Sequence, residues 1–231
     1  MSSSSEKKIW VLYASQTGNS EQAARQIVDL LPSKLSSGNV KGQAMQLDDF
    51  LELEYAPWTG IVIICMSSYG AGQAPLGGYR FRELCDYIIE NKNTASLLQG
   101  LQFALLGLGD SKYTTYFQNP TQTNEALEMA GATRIGPIGK ADNSNQQPET
   151  IEAWIAGLWK PLQAALDDDT TLISEERLNE MQNDTCAISA KINPDFKAIT
   201  TEKSMVEKVV PFILAITAII LGVIIQQILQ N

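Results

Sequence analysis

The sequence predicts an α/β fold: a five-stranded, parallel, doubly wound sheet followed by a C-terminal transmembrane helix. Three observations carry that expectation. Between residues 9 and 166, short apolar runs alternate with amphipathic stretches, the pattern of repeated strand–helix units. One of those runs, Gly60 to Met66 (GIVIICM), is continuous and β-branched, which suits a central strand covered on both faces. Near the end of the chain, residues 209–229 carry no charge and match the length needed to cross a bilayer.

Each element follows from its own pattern. Ile9 to Tyr13 (IWVLY) reads as the first buried strand. Ser20 is placed to cap the helix after it, with Glu21 at the helix's positive end. That helix repeats Ala23, Ala24, Ile27, Val28 and Leu31, and Pro32 is expected to end it. Lys41 to Leu47 forms a weaker second strand, and 60–66 the third. Phe81, Leu84, Cys85, Ile88 and Ile89 mark a helical stripe. Leu101 to Leu106 is the fourth strand. Asn119-Pro120 opens a helix to about Ala130, and Thr133 to Ile138 is the fifth strand. Ile151, Trp154, Ile155, Leu158, Trp159 and Leu162 lie on one face of a last helix.

Composition excludes several chemistries. None of the 231 residues is a histidine, so no Ser-His-Asp or Cys-His pair, His-ligated haem or His-containing zinc site can form. Three cysteines (Cys65, Cys85, Cys186) cannot build a Cys₄ site. Their odd number and wide spacing suit reduced cytosolic thiols, with Cys65 and Cys85 as buried structural residues. The net charge of −9 argues against nucleic acid as a partner, because phosphate binding needs a basic stripe.

The organisation expected is a disordered N-terminus (1–7), a globular domain (8–166), an acidic cytosolic linker (167–208) and a membrane anchor (209–229). The start lacks an apolar signal-peptide core, and Ser2 stands where myristoylation needs glycine. The linker opens on Asp167-Asp168-Asp169 and has room for one short helix around Ser174 to Met181. Lys203 and Lys208 precede the apolar span and nothing basic follows it, which keeps the domain in the cytosol on a tail anchor. The endoplasmic reticulum is favoured over the mitochondrial outer membrane. Asn183-Asp-Thr185 fits a glycosylation sequon that would then stay unmodified on the cytosolic side.

Ligands of doubly wound sheets bind at the carboxyl ends of the strands, and three such loops here carry chemistry. Ser15-Gln16-Thr17-Gly18-Asn19-Ser20 offers hydroxyls and backbone N–H groups at a helix start, which suits a phosphate. It has neither the lysine-bearing triphosphate loop nor a G-x-G-x-x-G nicotinamide motif, so the phosphate would be held by neutral donors. An ordinary Ser/Thr-rich helix-capping turn explains this loop, taken alone, equally well. Ser67-Ser68-Tyr69-Gly70-Ala71-Gly72 sets an aromatic among small residues that allow close backbone approach to a flat ligand. Gly107-Leu108-Gly109-Asp110-Ser111-Lys112-Tyr113 repeats that design, so that two tyrosines can sandwich a planar ring.

These residues resemble the FMN domain of the diflavin reductase family, which is flavodoxin-like. The first loop is similar to the family's S/T-x-T-G-x-S phosphate loop, SSYGAG to its T-Y-G-x-G flavin loop, and GLGDSKY to its G-L-G-x-x-x-Y loop. Within the family, LLGLGDSKYTTYF, Gly131, Ala132 and Arg134, and WIAGLW (154–159) look nearest to the methionine synthase reductase branch. The resemblance covers about residues 8–166. It implies that Ser15, Gln16, Thr17, Gly18, Asn19 and Ser20 bind the FMN phosphate, and that Tyr69 and Tyr113 flank the isoalloxazine ring. It implies that Gly70 offers backbone to flavin N5, and that Leu106, Gly107, Leu108, Gly109 and Asp110 line the pyrimidine side. Ser67, Ser68, Ala71, Gly72, Phe117 and Asp142 complete the implied site. Asp142 and Asn143 lie where the family carries an acidic patch. One segment departs from the family: its acidic, Pro-containing run is replaced by the uncharged Gln73-Ala74-Pro75-Leu76-Gly77-Gly78.

The function implied is a membrane-tethered FMN electron carrier. It would take electrons from a separate FAD/NADPH-type reductase and pass them to a protein acceptor. A flavin-free scaffold of the same fold and an NADPH–quinone reductase are the alternatives, the last disfavoured because no second nucleotide motif is present.

Overall fold

The computed structural model describes residues 7–36, 40–53, 58–168 and 173–194. The apolar span at 209–229, most of the N-terminal segment and part of the acidic stretch after residue 166 lie outside them.

The sheet is built from β1 (Lys7–Ala14), β2 (Val40–Gln46), β3 (Ile61–Ser67), β4 (Gln102–Gly109), β5 (Thr133–Arg134) and β6 (Gly139–Asp142). Every pairing is parallel and the order is β2-β1-β3-β4-β5, with β6 also paired to β4. The apolar run at 61–66 is therefore the central strand, as its composition predicts. The helices are α1 (Asn19–Lys34), α2 (Leu47–Glu52), α3 (Tyr79–Glu90), α4 (Gln118–Met129), α5 (Gln147–Asp167) and α6 (Glu175–Ile192).

Strand alternation divides the interior into two cores. Ile9, Val11, Ile63, Cys65, Ala104 and Leu106 face α1 and α5, where Ile27, Ile155 and Leu162 cover them. Trp10, Leu12, Val62, Ile64, Phe103 and Leu105 face the other way, against residues of α2, α3, α4 and α6. Cys65 and Cys85 are buried, one in each core, and burial drives both thiols up, Cys85 to about 12. Neither is a thiolate near neutral pH.

Four expectations are corrected. The fifth strand does not run continuously over 133–138. It breaks into β5 and β6, which pair with the two ends of β4 on either side of Gly136-Pro137. Gly136 sits at φ 67° and Pro137 has no N–H to give to a ladder. Pro32 does not end the first helix. It sits in the last turn, which continues to Lys34. Ser20 does not cap that helix. The cap position is Gly18, in the left-handed region at φ 92°, and Ser20 lies inside the first turn.

The fourth concerns the acidic segment after residue 166. The short helix expected there, 174–181, starts where Ser174 Oγ accepts the Arg177 N–H, but it runs on to Ile192. It belongs to the packed domain: Met181 is buried in the core. Thr185 Oγ1 accepts the buried Trp58 indole N–H at 3.2 Å, and Gln182 donates to the Leu53 carbonyl at 2.8 Å.

Candidate functional site

All three loops predicted from sequence converge on one open cleft of about 390 Å³ at the carboxyl end of β1, β3 and β4. That volume lies within the range usual for small-molecule sites.

The phosphate end is built by the turn into α1. Gly18 adopts the left-handed conformation and donates its N–H to Ser15 Oγ at 3.0 Å, which folds the loop back before the helix begins. Gln16, Thr17, Asn19 and Ser20 then line the cleft. Ser20 is buried, and its hydroxyl has no hydrogen-bond partner among the described residues. A buried hydroxyl without a partner beside the unpaired N–H groups of a helix N-terminus is a set of donors chemically suited to an anion. No lysine or arginine lines the cleft among the described residues, so these donors are neutral.

The ring end is built by the β3 and β4 loops. Tyr69 and Gln73 exchange backbone hydrogen bonds at 2.8 and 2.9 Å, closing a tight turn with Gly70 and Gly72 at positive φ. A Cβ on Gly72 would fall on the Gln118 side chain, so this turn takes only glycine there. The turn is pinned from several sides. Ser68 N–H donates to Leu108 O, Thr115 Oγ1 to Gly70 O at 3.2 Å, and Asn119 Nδ2 to Ser67 O at 2.9 Å. Tyr69 and Tyr113 line the cleft from different loops and remain 48% and 61% exposed, two apolar faces held open to a flat ligand.

The far wall is an aspartate lattice. Asp110 accepts from Ser144 Oγ, Lys112 N–H and Asn143 Nδ2. The Ser144 hydroxyl leads in holding the Asp110 carboxyl down to about 2. Asp142 accepts from the N–H groups of Ser111 and Ser144, and the bonds to Ser111 hold its pKa below the usual range.

The expected site residues divide into two groups. Gln16, Thr17, Asn19, Ser20, Ser67, Ser68, Tyr69, Gly70, Leu108, Gly109, Asp110 and Tyr113 line the cleft. The others stand behind it. Ser15 and Gly18 shape the phosphate turn, and Ala71 and Gly72 belong to the Tyr69–Gln73 turn. Asp142 fastens the 110–113 loop from β6. Leu106 is fully buried in the α1/α5 core. Phe117 is buried too, at φ 61° just before α4, with its ring so close over Gly107 that a Cβ there would overlap it.

Sequence reasoning missed Thr115, Tyr116 and Gln147, which also line the cleft. Gln147 is buried and bonds to three site elements. Its Oε1 accepts Asn19 Nδ2 at 3.0 Å, and its Nε2 donates to Gly109 O and Ala141 O at 3.3 and 3.2 Å. The only local signal was a glutamine just before the Pro148 that opens a helix.

This constellation on a doubly wound sheet defines an FMN-binding, flavodoxin-like domain. The Flavodoxin family model matches residues 11–157, and the chain belongs to that family. It is 34% identical over 149 residues to the NADPH–cytochrome P450 reductase of Saccharomyces cerevisiae, across 64% of this chain and 20% of that protein. It is 28% identical over 189 residues to the NADPH-dependent diflavin oxidoreductase 1 of Candida albicans, across 77% of this chain and 31% of the other. The chain thus spans less than a third of these relatives. Among solved structures, a cysteine-to-serine mutant of flavodoxin from Pseudomonas aeruginosa is similar at 23% identity and TM-score 0.49, over 69% of this chain and 98% of that one.

Proposed function

We propose that this protein is an FMN electron carrier tethered to a membrane. In this reading it receives electrons from a separate FAD/NADPH-type reductase and passes them to a protein acceptor. The supporting observation is the cleft itself, with an unsatisfied neutral phosphate end and a ring end flanked by two exposed tyrosines. Bound FMN supplies a redox centre that takes electrons singly or in pairs. The chain's residues hold and orient it. Thr17, Asn19, Ser20 and the first N–H groups of α1 would bind the phosphate, and Tyr69 and Tyr113 would cover the ring. Gly70, in its pinned turn, sets backbone beside the ring, and Asp110 and Asp142 give the far wall a negative charge that steers basic protein partners.

The nearer likeness to the methionine synthase reductase branch belongs to this reading and rests on the motifs at 105–117 and 154–159. So does the tether. The charge-free stretch at 209–229, preceded by Lys203 and Lys208, would enter the bilayer and leave the domain in the cytosol, with the endoplasmic reticulum favoured.

The test is a reductive titration of the purified chain, followed by its absorption. A yellow protein that is reduced in two resolved one-electron steps, and by NADPH only when a diflavin-type reductase is added, supports the carrier. A colourless protein indifferent to added FMN overturns it in favour of a scaffold. Direct oxidation of NADPH with quinone present would make it a quinone reductase.

A further inference from the structure

The cleft rim has two unlike sides. On the β4–β6 side stand Asp110 and Asp142. On the β3–α3 side, residues 67–79 (SSYGAGQAPLGGY) carry no charge at all. That side displays Leu76 at 55% exposure and Tyr79 at 49%. These side chains are not turned outward by a loose loop. The Leu76 carbonyl accepts Ser15 N–H at 3.2 Å, the Gly77 carbonyl accepts Asp48 N–H at 2.9 Å, and Gly78 N–H donates to Pro75 O at 3.1 Å. Asp48 accepts the N–H groups of Tyr79 and Phe81 at 2.9 and 3.0 Å. The backbone is fixed on both sides of two apolar side chains that remain in solvent.

Helix α6 ends on this same side. Its first turn lies at the far end of the molecule, where Arg177 donates to the Ser96 and Leu97 carbonyls beyond the end of α3. Its last residues, Ser189, Ile192 and Asn193, share a crevice with Arg80 and Glu83 in the opening turns of α3. α6 therefore runs antiparallel to α3 and ends beside Arg80 and Glu83 in its opening turns, at the cleft end of the sheet. Only residues 195–208 separate it from the apolar stretch at 209–229.

We propose that the Leu76–Tyr79 rim is a lipid-contact surface, seated in the headgroup region of the bilayer that the C-terminal stretch enters. This rests on the tether reading above. The uncharged 67–79 segment meets the membrane, with Tyr79 as an interfacial aromatic and the neighbouring Arg80 at headgroup level. The aspartate side faces the cytosol, open to a soluble reductase and away from anionic headgroups. The missing acidic run at 73–78 then leaves Asp48 as the rim's nearest carboxylate, and its oxygens are already taken up by the Tyr79 and Phe81 N–H groups.

The experiment uses the full chain, with Cys186→Ser to leave only buried native thiols, reconstituted in phosphatidylcholine/phosphatidylserine vesicles. An environment-sensitive fluorophore is attached in turn at Leu76→Cys, at Ser111→Cys on the aspartate side and at Lys92→Cys beyond the far end of α3. Headgroup-nitroxide lipids serve as quencher. The proposal expects quenching at position 76 several-fold above that at 111 and 92. Equal quenching at all three sites, with the protein still retained by the vesicles after carbonate, overturns the lipid surface and leaves the tether intact. Loss of the protein in carbonate overturns the tether reading itself. A blue shift at 76 that ignores the nitroxide and grows with protein concentration in detergent assigns the patch to a second copy, and also overturns the proposal.

Discussion

The two ends of the cleft are organised in opposite ways. At the ring end several acceptors are already engaged: Gly70 O with Thr115, Ser67 O with Asn119, and Asp110 with three donors. At the phosphate end the Ser20 hydroxyl is buried and unmatched, beside the free N–H groups that open α1. The ring end is thus preorganised by the protein, whereas in the proposed function the phosphate end is completed by its ligand. Substitutions at the two ends should therefore move different quantities.

The largest expected effect is at Ser20. Ser20→Ala removes a donor to a charged group, which is worth about 1.5–3 kcal/mol, so FMN affinity should fall by at least an order of magnitude. The ligand-free protein should be no less stable, because a buried, unpaired hydroxyl is lost with it. Paired FMN titrations and urea melts check both halves. A fall in stability without a fall in affinity would show that the phosphate end is not ligand-completed. Next is Tyr113→Ala. Loss of a stacking face should cost about 1–3 kcal/mol in FMN binding with little change in the ligand-free melt, and unchanged affinity would remove Tyr113 from the site.

Thr115→Val tests the ring end. It deletes the bond to Gly70 O, a neutral hydrogen bond of about 0.5–1.5 kcal/mol. The loss should register in the melt of the ligand-free protein as well as in the flavin potentials. An effect on affinity alone would place the constraint in the complex and not in the loop.

The smallest effect is in acid. The Asp110 carboxyl is held at about 2 in the folded protein, below an unfolded value near ~3.9. Its contribution to stability is therefore complete above that unfolded value and is lost as the pH falls through about 2. A carboxyl-carbon NMR titration should find the Asp110 midpoint near 2. Ser144→Ala should raise it, since that hydroxyl is its leading partner. A midpoint at the ordinary value would dissolve the aspartate lattice.

The parts of this architecture legible in sequence were those with a short-range signature. β3 announced itself by composition, the three loops by residue type at strand ends, and α5 by its stripe. What stayed hidden depended on partners distant in the chain. α6 is mostly polar, and its role shows only when Met181, Gln182 and Thr185 meet Leu53, Trp58 and the core. Gln147 gained its role from Asn19, 128 residues earlier. Leu106 and Phe117 sit in motif positions, yet they are turned into the interior by strand alternation and by the left-handed turn at 117. A motif marks a loop without stating which of its side chains face the ligand.

In the proposed function one cleft grips FMN at two differently built ends. The direct measurement is the affinity of the full chain for FMN against riboflavin, which keeps the ring and lacks the phosphate. FMN should bind tightly and riboflavin more weakly by well over an order of magnitude, with the gap narrowed in Ser20→Ala. Equal affinities for the two flavins, or no binding of either, would contradict it.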